Sequence, residues 1–94
     1  MSTATLVLQD LGVNEQSAVR SFALLNASQK LAEFQQECAA FQSKYRMAFS
    51  AFEKKIEAET EENFGEEEDY MAWKFAEEGM VYWREKVERL KLEA

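Results

Sequence analysis

The chain has 94 residues, 47% of them apolar, with eighteen acidic and eleven basic side chains for a formal charge of −7, three glycines, and no proline or histidine. That length bounds it to one domain with a modest core, and so little turn chemistry excludes an all-β fold. The missing histidine removes the commonest general base and metal ligand, and the negative charge disfavours nucleic acid and anionic membranes as partners.

Residues 1–13 read either as a short strand, with Ala4, Leu6 and Leu8 on one side of TATLVLQ, or as an apolar arm. A short helix is predicted over 15–25, with Asn14 as its N-cap, Val13 and Ala18 as a hydrophobic staple, and Val19, Phe22 and Leu25 as its stripe. Asn26 or Ser28 then ends it or caps the next helix.

A long helix is predicted over 27–58. Leu31, Phe34, Cys38, Phe41, Tyr45, Ala48 and Phe52 step by alternating threes and fours, and Phe49 and Ile56 fall in the same sector. The KYRM stretch at 44–47 leaves two readings, one continuous helix or a kink or break near Arg46 that would make AFSAFEKKIEA a separate helix. EAETEENFGEEED, 57–69, is the acidic turn, and a last helix over 69–93 has Asp69 as its N-cap. Its seam is Trp73, Ala76, Met80, Trp83, Val87 and Leu90. The expected fold is all-α: a long antiparallel helical hairpin with a short N-terminal helix, dimerising into a helical bundle.

YMAWKFAEEGMVYW, 70–83, holds more large apolar residues than one seam can take. Met71, Phe75 and Tyr82 lie about 130° from the centre of the Trp73–Leu90 seam, with Tyr70 and Val81 on the opposite flank. Such a helix needs a second cover. The candidates are residues 1–25 folded back, bringing Leu6, Leu8, Leu11, Phe22, Leu24 and Leu25, or another chain. Gly79 suits a close backbone or ring approach between Phe75 and Trp83. The candidate partner-binding residues are therefore Tyr70, Met71, Phe75 and Tyr82 as anchors, and Glu66, Glu67 and Glu68 for steering a basic partner.

Other motifs read blandly. No register of the acidic run meets the calcium-loop rules, since a start at Thr60 puts Gly65 sixth but Phe64 fifth. Cys38 sits on the seam as a small hydrophobe. Lys74, Arg84 and Lys86 lie near the tryptophans and tyrosines, but Glu77, Glu78 and Glu85 make the balance negative, unlike a base-stacking platform. No catalytic residue, cofactor or metal is expected. Ribbon-helix-helix repressors also open on a strand before two helices, which gives a DNA-binding alternative, but TATLVLQ carries no basic side chain.

KYRMAFSAFEKKI, the acidic turn and EDYMAWKFAEEGMVYWREKVERL together resemble a class of small acidic helical prokaryotic proteins. In that class a Lys-Tyr-Gly-Met segment precedes a helix, an acidic spacer and a Trp-containing C-terminal helix; these proteins look like antitoxins of toxin–antitoxin pairs. Arg46 stands at the glycine position. The resemblance implies a non-enzymatic module neutralising a basic protein encoded nearby. With no signal peptide and no span of roughly 18 apolar residues, the expected setting is cytoplasmic. A homodimer is the expected assembly, and the alternative function is a structural homo-oligomer with no separate partner.

Overall fold

The computed structural model describes residues 2–93, and all of its regular structure among them is helical. Four helices follow in order: α1 (Thr3–Asp10), α2 (Glu15–Tyr45), α3 (Phe49–Ala58) and α4 (Phe64–Leu92). They make a rod of 64 × 24 × 18 Å.

Residues 3–10 form a helix, where alternation predicts a strand or arm. Ser2 caps it, its hydroxyl accepting from the Thr5 N–H at 3.2 Å. Gly12 stops it in the left-handed region at φ 74°. The Gly12 N–H bonds the Gln9 carbonyl and the Val13 N–H bonds the Leu8 carbonyl at 2.8 Å, the paired bonds of a Schellman ending. Cap and stop chemistry thus outweighs a period-two pattern only seven residues long. The strand on which a ribbon-helix-helix arrangement opens is therefore a helix here. A Thr5–Glu15 hydrogen bond of 2.8 Å ties α1 to α2.

The predicted helices 15–25 and 27–58 are joined and cut differently. Asn14 caps α2 through the Ser17 N–H at 2.7 Å, as expected. No break follows at 26–28, because the Asn26 amide donates back to the Phe22 carbonyl at 2.8 Å and Ala27 is buried. Residues 15–25 therefore lengthen α2 and do not fold back over α4. The break comes at Arg46, the only non-glycine residue at positive φ among those described, at φ 55° and ψ 39°. Its N–H closes α2 onto the Gln42 carbonyl at 2.8 Å. An L-residue in this conformation is strained by roughly 1–2 kcal/mol.

α4 begins five residues before the predicted Asp69. Asn63 is the cap, accepting from the Glu66 N–H at 3.1 Å. Asn63-Phe64-Gly65-Glu66 matches a capping-box pattern hidden in what reads as turn. Asp69, inside the helix, is freed to reach across to α2.

α2 and α4 run antiparallel, since Arg20 donates to the Leu90 carbonyl at 3.0 Å at one end and Lys44 to Asp69 at 2.5 Å near the other. Between these points Cys38, Trp73 and Ala76 are buried, with Phe34, Phe41 and Met80 packed beside them. The break swings α3 so that Phe49 and Phe52 meet the same indole as Phe41 and Tyr45. Phe52 and Trp73, 0% and 1% exposed, are the centre of the core. The Trp73 indole N–H donates to Glu77, one turn on, at 3.2 Å.

Gly79 faces the Phe34 ring, and a Cβ there would stand 2.7 Å from two ring carbons. The same atom at Gly65 would meet only the Asn63 amide oxygen, at 3.5 Å. Gly65→Ala is expected to be neutral or stabilising by up to about 1 kcal/mol, and Gly79→Ala to destabilise despite the same propensity gain, because the ring must leave its seat. Urea midpoints of the two variants check the difference in sign. Arg46→Gly, which releases the left-handed strain, is expected to stabilise by about 0.5–1 kcal/mol in the same assay.

Candidate interaction face

Phe64, Met71, Phe75 and Tyr82 step by seven, four and seven along α4. Steps of that size return to one face of a helix. All four are open to solvent, 71%, 74%, 65% and 52% exposed respectively. They lie on the far flank from the buried Trp73, Ala76 and Val87. Phe64 extends the predicted set by seven residues, about two helical turns, toward the start of α4. It escapes notice in sequence because it falls in the acidic stretch, yet it lies seven residues before Met71.

Phe34 joins this line to α2 through an edge contact with Phe75, ring centroids 5.7 Å apart. Toward the C-terminus of α4 the line runs into a groove of about 580 Å³ between α2 and α4, whose walls include Ala23, Ala27, Tyr82, Trp83, Lys86 and Leu90. Lys86 stands 5.0 Å above the Tyr82 ring. Further along α2, Val19 and Phe22 are also exposed.

The other expected anchor goes elsewhere. Tyr70 turns inward, its ring between Phe49 and Phe52 and its hydroxyl donating to Glu53 at 2.6 Å. That carboxylate bond and burial push the phenol up to about 12. Tyr70 is therefore a packing residue of the α3–α4 contact. The acids also divide. Glu66 is held by Lys55 at 2.8 Å, while Lys55 reaches Glu59 as well at 3.2 Å. Glu67 and Glu68 are exposed on the first turns of α4.

Asp69 accepts from the Lys44 ammonium and, on the same oxygen, from the Tyr45 hydroxyl. The Lys44 bond, then the Tyr45 bond, hold its carboxyl below the usual range. Burial and the Asp69 carboxylate push Tyr45 up to about 12. The Lys55 bond likewise lowers Glu66. Cys38 is buried, and burial followed by the charge of Glu77 pushes its thiol up to about 11. A thiol so protonated is a poor nucleophile. Among the described residues no group of three or more acids and cysteines is placed to hold a metal ion. No helix among them is long and apolar enough to cross a membrane.

Compared with known proteins, the chain matches no family model, no curated protein and no solved structure.

The titrations set a two-sided pH dependence. Asp69 and Glu66 have depressed folded values, so their contribution is complete above the unfolded carboxyl range, about pH 4, and fades as pH falls through the folded values. Tyr45 and Tyr70 are raised from 10, so their contribution is complete below pH 10 and is lost as pH climbs toward about 12. Urea midpoints across pH are expected to fall at both ends. Asp69→Asn is expected to flatten part of the acid limb and to bring Tyr45 ionisation to lower pH, read by tyrosinate absorbance.

Proposed function

We propose that the protein is a non-enzymatic, cytoplasmic helical interaction module. In this reading α2–α3 and α4 form a long antiparallel hairpin, and the line Phe64–Met71–Phe75–Tyr82 is its working surface. One observation carries it: these four large apolar side chains are aligned on one face of α4 and exposed. A solvent-facing stripe of this kind marks an association site. Aromatic anchors supply the affinity.

The second element is the acidic turn with Glu67 and Glu68, which would draw in a basic protein and raise the rate of encounter more than the affinity. This is the behaviour implied by the antitoxin-like resemblance: neutralisation of a basic protein encoded nearby. Self-assembly into a helical bundle uses the same apolar line and is favoured by how much surface the single chain leaves uncovered.

Phe75→Glu together with Tyr82→Glu tests the reading, because both side chains are exposed and their replacement leaves the Trp73 core alone. Helical content by circular dichroism is expected to persist. Assembly is expected to be lost, whether read as particle mass by light scattering or as co-purification with the adjacent gene's product. Assembly unchanged by both readouts would remove the apolar line from the function.

A further inference from the structure

We propose that the occupant of the α4 face is a second copy of this chain, docked side by side and antiparallel to form a four-helix bundle. This rests on the apolar line being an association surface, and it adds who the partner is and which way it points.

The first argument is area. The chain exposes 7191 Å², against about 5,600 Å² for a compact protein of its mass. Its radius of gyration is 19.7 Å, where a compact chain of this length has about 12 Å. The excess is on the order of 1,600 Å² per chain, or about 3,200 Å² for a pair, within the range of obligate homodimers. Only six side chains are buried among the described residues. A core this thin calls for added stabilisation, and association with another copy is one of the routes open to a small helical chain without disulfides.

The second argument is charge, and it fixes direction. The Phe34–Gly79 contact divides the rod in two. Residues 37–79 carry twelve acidic and five basic side chains, net −7; the remaining residues carry six of each, net zero. The whole net charge therefore sits at one end. A parallel pair would set two −7 ends side by side about one helix diameter apart, near the Debye length at moderate salt, where repulsion is partly screened but still unfavourable. An antiparallel pair sets each acidic end along the partner's neutral end. There the last turn of α4 offers Arg89, on the same face as Phe75 and Tyr82, opposite Glu67 and Glu68 in the first turns of the partner's α4.

Register follows from maximal overlap. A two-fold axis through the middle of α4, near residue 78, brings Phe75 against the partner's Tyr82 and Glu68 beside the partner's Arg89. The helix dipoles of the two α4 copies are then also opposed. Lys86 and the groove beside Tyr82 close over the partner's Met71.

The experiment combines mass and orientation. Light scattering of the wild-type chain is expected to give twice the chain mass, halved in Phe75→Glu/Tyr82→Glu and in Met71→Glu, with helical content retained. For orientation, spin labels are placed at Glu61→Cys in a Cys38→Ala background. Antiparallel copies in this register put the two labels roughly 50 Å apart, the rise of about 35 helical residues. Parallel copies put them within about two helix diameters, roughly 20 Å, and that result would overturn the orientation. A monomer that still co-purifies with the adjacent gene's product through Phe75 and Tyr82 would overturn the second copy and leave the association face standing. A monomer that neither co-purifies nor binds an apolar dye would overturn both. A dimer indifferent to Phe75, Tyr82 and Met71 would place the interface elsewhere and overturn the proposal.

Discussion

The indole of Trp73 is the point on which three helices close. Phe41 and Tyr45 lie nearly parallel to it from the end of α2, while Phe49 meets it edge-on and Phe52 tilted from α3. Aromatic pairs prefer these offset and edge arrangements, and each adds to the area it buries. A straight continuation of α2 past residue 45 would carry Phe49 and Phe52 onward along the rod axis. The left-handed turn at Arg46 brings them back onto the indole. Local backbone strain is thus tolerated because the cluster it completes buries Phe52 fully.

The same arrangement explains why the rest of the molecule is thin. The rings of the cluster occupy the acidic end, and beyond Ala76 the α2–α4 contact buries, among the described residues, only Ala27 and Val87. Polar bonds hold the extremities in its place: Asp69 with Lys44 and Tyr45 at one end, Arg20 with the Leu90 carbonyl of α4 at the other. The exposed line on α4 and the open groove beside Tyr82 are the complement of that thin core. They are surface that the fold provides on a rigid helix and does not itself cover.

Much of this is legible in the residues. The seam of α4 falls where its three–four stepping puts it, and the first seam does so as far as Tyr45, beyond which its residues pass to α3. A period sustained over several turns is met by a helix with one buried face and by no strand. Met71, Phe75 and Tyr82 stand out for the same reason. Terminal chemistry is harder to see. Gly12 with Leu8 and Val13 encodes a helix stop, and Asn63 with Glu66 encodes a helix start, but each signal is two or three residues inside a stretch whose composition suggests strand or turn. Tyr70 is hidden in another way, since its angle on α4 says only that it leaves the main seam. That α3 lies there to receive it depends on the break at Arg46, a tertiary event that no local pattern fixes.

The seat that Gly79 makes for Phe34 has a consequence for how two long, regular helices find each other. Seams built of repeating threes and fours look alike after every seven residues, so α4 could in principle slide along α2 by two turns and still bury apolar groups. A ring pressed into a position that has no side chain works as a notch: it fits at one offset only. Slid by seven residues, Phe34 would meet Ala72 or Lys86 instead, and Asp69 would leave Lys44 and Tyr45 behind. Notch and latch together single out one alignment from a set of near-equals.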